Sequence, residues 1–165
     1  MRYPAPLFLM VAVGLTCCSC HTPLNPASSR YADIAETVFR YIAQPAPTSD
    51  EDSHGLTLAH KVYFLQLDSH DPSPGFLDRL RDVRVAVRPL SLSVEKEDCR
   101  RYDTKTGERG AAIYIYNIRV NGGHGARAEA IIAPGGVLRG SGSAYYLKQT
   151  GGKWTVVGAT VRSVS

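Results

Sequence analysis

Most signatures that assign a chemistry are missing from this chain. There is no Gly-x-Ser-x-Gly elbow, the turn that presents a hydrolase serine. Gly122-Gly-His-Gly125 is glycine-rich, but no helix follows it and the downstream Lys-Ser/Thr of a phosphate loop is missing. His54, His60, His70 and His124 are dispersed, with no two at helical ligand spacing. No internal repeat is visible, which argues against solenoids and propellers. No basic stripe with interleaved aromatics occurs, so nucleic acid is not an expected partner. The apolar run Leu7–Leu15 is too short for a membrane span of about twenty residues. Of the four cysteines only Cys99 lies beyond residue 20. The 165 residues are nevertheless enough to bury a core without disulfides.

What is present reads as one ordinary globular domain. The formal net charge of +4 is carried mainly by arginine and is weak evidence for anionic partners. The N-terminus reads as an export signal: Arg2 is the positive start, Leu7–Leu15 the apolar segment, and small residues and cysteines follow at once. Leu15-Thr-Cys-Cys-Ser-Cys20 resembles the bacterial lipoprotein signal, in which a Leu–small–small–Cys box is cleaved before a cysteine that receives lipid. Cys18 has Leu15 three positions back, and Cys20 has Ser19 before it; both are candidates, with the spacing favouring Cys18. The resemblance implies a protein on the bacterial cell envelope, tethered to a membrane through lipid. Cleavage without lipid is an alternative. Metal binding by Cys17, Cys18, Cys20 and His21 is another, disfavoured by the apolar segment just upstream.

The expected organisation is a signal over 1–20, a tether over 21–26 and a single α+β domain over 27–165. Asn25 and Pro26 read as N-cap and first helical residue of a helix running to about Gln44. Tyr31, Ile34, Ala35, Val38 and Ile42 form its apolar face, and Glu36 and Arg40 pair on the other side. Pro45–Gly55 is a polar loop, and Lys61–Leu67 a buried strand. Ser73 and Pro74 start a short helix with Phe76, Leu77 and Leu80 inward. Val83, Val85 and Val87 alternate with Arg84, Ala86 and Arg88 as a strand that Pro89 ends or marks as an edge. Leu92–Tyr102 pairs weakly, and Asp103–Gly107 turns the chain into the next strand. Cys99 is expected to be buried and inert.

Ala111–Val120 is rich in β-branched and aromatic residues and ends in the hairpin signal Asn121–Gly125. In Ala126–Ala133, Ala128, Ala130 and Ile132 oppose Arg127 and Glu129 across the strand. Pro134-Gly-Gly136 breaks the ladder, Val137–Gln149 resumes it, and Thr150-Gly-Gly152 leads into Lys153–Arg162. Gly140, Gly142 and Gly158 inside strands point to a strongly curved antiparallel sheet that wraps a long N-terminal helix. Tyr114, Tyr116, Tyr145, Tyr146 and Trp154 then either line a pocket or docking surface or pack within the sheet.

The stretch Tyr145–Val157, with its Tyr-x-Leu strand, Gly turn and Lys-Trp-x-Val strand, resembles the closing hairpin of nuclear transport factor 2-like and cystatin-like domains. That resemblance implies a cone with a pocket between helix and sheet. It carries no catalytic residue over, because no carboxylate falls on the inner face: Glu129 opposes the alanines and Asp33 lies off the apolar stripe. Asp68-Ser-His-Asp71 has the donors for a divalent cation, but such loops more often supply turns and caps. No cofactor or metal is therefore expected. The leading functional reading is an accessory module that binds an envelope protein or a small ligand. The alternative is a small isomerase- or dehydratase-like enzyme. Homodimerisation through the outer sheet face is compatible with either.

Overall fold

The computed structural model describes residues 22–44, 62–133 and 141–163. Its first element, β1 (Thr22–Pro23), lies extended against a later strand, and Leu24 continues it by donating its N–H to the Ile118 carbonyl at 3.2 Å. The chain must turn before it can coil. Asn25 makes that turn, its Oδ1 accepting the Ala27 N–H at 2.9 Å. Helix α1 (Ser29–Ala43) therefore begins after Ser28, whose hydroxyl accepts the Tyr31 N–H at 3.2 Å. Asn25 and Ser28 are both good caps, and the pairing of β1 selects the later one. Tyr31, Ile34, Ala35, Val38 and Phe39 are its buried residues. Phe39 joins the stripe expected from spacing, while Ile42 is only partly covered.

The strands that follow are β2 (Val62–Leu67), β3 (Ala86–Pro89), β4 (Ser93–Glu95), β5 (Arg101–Asp103), β6 (Arg109–Asn121), β7 (Gly125–Ala133), β8 (Ser141–Thr150) and β9 (Lys153–Ser163). The sheet runs β3-β2-β6-β7-β8-β9, with β1 and β5 paired at opposite ends of β6 and β4 paired to β5. From β6 onward it is an antiparallel meander. The expectation of a wholly antiparallel, strongly curved sheet fails at β2, which runs parallel to both β3 and β6. The cause is the connection after β2. It is a crossover through α2 (Pro74–Asp78) that returns the chain to the starting end, and such a connection makes parallel neighbours. Val62, Tyr63, Phe64, Leu65 and Leu67 are all buried, the continuous apolar run of a strand covered on both faces.

The sheet is also open and not strongly curved. The freedom that glycine brings is used locally. Gly158 lies beside a register shift opposite Tyr146 and Leu147, a bulge that bends one strand without coiling the sheet. Gly140 and Pro134–Gly136 lie outside the described residues. At Gly110 the need for glycine is steric: a Cβ there would lie 2.5 Å from the Val62 carbonyl oxygen and 2.6 Å from the Phe64 ring. The close approach of β2 to β6 requires the missing side chain.

One face of the sheet forms the main core with α1. It presents Tyr63 and Leu65, Ile113 and Ile115, then Ala126, Ala128 and Ala130, and finally Tyr145, Leu147 and Trp154. The alanines of β7 leave room for the bulky side chains of the helix. Ser73 caps α2 by accepting the Phe76 N–H at 3.2 Å, and Phe76 and Leu80 are buried in the same core. Two ion-pair groups brace the fold. Glu36 meets Arg40 at 2.8 Å and Arg79 at 2.7 Å, while Asp82 and Asp33 complete a bridge from α1 to the region after α2. These carboxylates hold both guanidinium groups above their ordinary pKa. The second group is Arg88 with Asp103, at 2.6 Å.

Cys99 departs from expectation: it is exposed. It occupies the β4–β5 turn at φ +57°, where its N–H donates to the Lys96 carbonyl at 2.9 Å. A tight surface turn offers that side chain no core to enter.

Candidate functional site

The sheet pleat divides the five aromatic residues expected to act together. Tyr145 and Trp154 point to the helix side and are buried. Tyr145 meets Tyr41 edge-on at 5.8 Å between centroids. Trp154 lies under the Arg30 guanidinium, 5.4 Å from the ring centre, while Arg30 also donates to the Gly123 carbonyl. Both residues dock the helix, and burial pushes the Tyr145 hydroxyl above its ordinary pKa.

Tyr114, Tyr116 and Tyr146 point the other way. Tyr146 is 42% exposed and the other two are half-buried. The register sets them around an ion pair. Tyr116 lies opposite Glu129, Arg127 lies opposite Tyr146, and Arg127 contacts Glu129 at 2.5 Å. Val157 adds an exposed apolar side chain at the bulge. Along the end of the same face run further cations. Arg119 pairs directly across from Arg127, and Lys148 and Lys153 follow on β8 and β9. Arg119, Lys148 and Lys153 are exposed and join no salt bridge. Linear reading misses this grouping because four strands contribute to it. The signal that finds it is cross-strand register.

The Asp68–Asp71 loop uses its polar groups in closing turns. Asp68 Oδ1 accepts the Asn117 N–H at 3.0 Å, and Asp71 Oδ1 accepts the Ser91 N–H at 3.2 Å. His70 Nδ1 lies 2.7 Å from the Asp68 carbonyl. Asp68, Ser69 and Asn117 all have positive φ, at 43°, 67° and 55°. This non-glycine strain sits where the end of β2 is tied to the bulge in β6. The Tyr31 hydroxyl is buried without a well-formed hydrogen bond, close to the Asp68 carboxylate. Burial, and then that carboxylate, drive its pKa far upward. No group of three or more potential metal ligands occurs among the described residues.

Asp103 is the buried charged residue among those described. Its Oδ1 accepts the N–H groups of Lys105 at 2.7 Å and Thr106 at 3.0 Å. The Thr106 amide above all, with the Lys105 amide and the Arg88 charge, holds the carboxyl below its ordinary range despite burial. It secures the turn before β6.

Cys17, Cys18, Cys20, His21, His54 and His60 lie outside the described residues. No described helix is long and apolar enough to cross a membrane. No family model matches the chain, and no curated protein or solved structure shows significant similarity to it. The comparisons therefore lend no support to a bacterial lipoprotein identity. The mixed, open sheet also overturns the nuclear transport factor 2-like and cystatin-like assignment. A Gly-turn-Lys-Trp hairpin closes this sheet as it closes unrelated ones.

Proposed function

We propose that this chain is an exported binding module, held at a membrane by its N-terminal segment, that engages a protein or small ligand through the open face of its sheet. Export rests on Arg2, the Leu7–Leu15 run and the small residues after it. The observation that carries the binding reading is the side of the sheet away from α1. There Tyr146, at 42% exposure, stands beside Arg127, with Tyr116 and Tyr114 next to it. Tyrosine and arginine are the residues that most often anchor interfaces, since each offers large contact area together with a directional polar group. An acid–base enzyme working between helix and sheet is less well supported, because no described carboxylate is buried in that interface.

The test is a photo-crosslinking amino acid at position 146, compared with one at Tyr41 on the helix side. Both sites are similarly exposed, at 42% and 47%. A discrete adduct formed in the expressing cell from position 146 and not from position 41 is the expected result. Identical adducts from both positions, or none from 146, overturn the reading.

A further inference from the structure

We infer that the end of the domain carrying the two tight turns, Asn121–Gly125 and Thr150–Lys153, seats on an anionic lipid surface. This goes beyond the binding reading and uses different side chains. The first ground is charge. Between Arg109 and Ser163 the sole carboxylate side chain is Glu129, and it is committed to Arg127. Arg119, Lys148 and Lys153 are exposed at this end and join no salt bridge, and His124 is exposed in the turn between them. Elsewhere the arginines are largely neutralised locally: Arg40, Arg79, Arg81, Arg88 and Arg101 each have a carboxylate oxygen within 3.2 Å. Arg84, Lys96, Lys105 and Arg109 are also exposed and join no salt bridge, but each lies within two residues of a carboxylate, so the positive charge without carboxylate neighbours gathers on this rim. Such a rim is drawn to acidic headgroups over about a Debye length, ~8 Å at physiological salt.

The second ground is where the chain enters. Thr22 pairs with Val120 and Pro23 with Arg119, so the described chain begins at this rim. The apolar run ends at Leu15, and the residues from there to Thr22 reach at most about 25 Å when fully extended. This ground rests on the tethering proposed above: an anchor no farther back than Leu15 leaves the bilayer within that distance of Thr22, which lies across from Val120. The pairing of β1 keeps the same end of the sheet turned toward that bilayer.

The test uses the full chain and vesicles of two compositions, phosphatidylcholine alone and equal parts phosphatidylcholine and phosphatidylglycerol. Partition to the neutral vesicles reports the apolar N-terminus, and the gain on adding acidic lipid reports the rim. The variant Arg119→Gln/Lys148→Gln/Lys153→Gln is expected to lose about 100-fold of that gain, at roughly a factor of five for each cation. The control Arg81→Gln/Arg84→Gln/Lys105→Gln, on exposed cations outside the rim, is expected to keep it. Unchanged thermal melting of the rim variant excludes misfolding. The inference is overturned if acidic lipid brings no gain, if both variants lose it equally, or if an acidic peptide or single-stranded oligonucleotide competes the chain off the vesicles. Crosslinking from position 146 that persists in the rim variant separates this result from the fate of the binding reading.

Discussion

Tyr145 and Tyr146 are neighbours in the same strand and have opposite fates. Tyr145 is 5% exposed and packs under α1, whereas Tyr146 is 42% exposed on the far side. The same division runs across the sheet. In β7 the alanines at 126, 128 and 130 serve the helix, and Arg127 and Glu129 between them form the ion pair of the open face. Residue type does not decide which aromatic is structural and which is free to bind. The pleat decides, because successive side chains leave a strand on opposite sides. One face of the meander is spent on stability, while on the other, beyond the buried Ala112, Ala133 and Ala144, Tyr146 and its neighbours remain available.

The largest effect should follow from cutting into the helix-covered face. Phe39 is fully buried and meets Tyr63 edge-on at 6.2 Å. Phe39→Ala is expected to cost about 3–5 kcal/mol, read from the midpoint of urea unfolding. A loss below about 1 kcal/mol would mean that α1 contributes little to the core, and the contrast between the faces would fail.

Smaller effects should appear at the extremes of pH, and they sharpen the contrast by probing different regions. Asp103 has a folded pKa below its ordinary 3.8, so its contribution is present above that value and is lost as pH falls through the folded one. Melting temperature should therefore drop below about pH 4, less steeply in Asp103→Asn. On the helix side the sign reverses. Burial pushes the Tyr63 hydroxyl from 10.0 up to about 12. That contribution is present below pH 10.0 and is lost as pH rises toward 12, and Tyr63→Phe should flatten the alkaline limb. An acid limb unchanged by Asp103→Asn would show that other carboxylates dominate it.

The smallest effect is expected on the open face. Tyr146→Ala should change the unfolding free energy by no more than about 0.5 kcal/mol. A loss as large as that at Phe39 would show that Tyr146 is part of a packed layer and not a free surface.

The local features of the fold were legible in the sequence. The stripe Tyr31, Ile34, Ala35, Val38 gives α1, the Ser73-Pro74 pair gives α2, and Asn121–Gly125 and Thr150–Gly152 give the two turns of the meander. Each depends on residues a few positions apart. The parallel placement of β2 was not legible, because Val62–Leu67 has the same apolar character whichever way its neighbours run. Its direction relative to β3 is set by the crossover through α2, and the space left at Gly110 lets it lie close against β6. The candidate site was half legible. The tyrosines stand out by type, but the bulge between Tyr116 and Arg119 shifts the register that brings Arg119 opposite Arg127, and no linear spacing reveals that. Cys99 was misread because burial was inferred from residue type, while a left-handed turn position keeps it at the surface.

The order of the strands has a consequence in time. The hairpins of β6 with β7 and β8 with β9 join neighbours through turns of a few residues, and such contacts form early. Val62 meets Gly110 only after the intervening chain has folded back on itself, and closing that long loop in parallel register is slow. During synthesis α1 and β2 emerge first and find nothing to cover them. The buried faces of both must wait for Arg109–Asn121, so the N-terminal half stays open until the C-terminal half exists. A chain truncated before Arg109 keeps its helix sequence and loses the surface on which that helix folds.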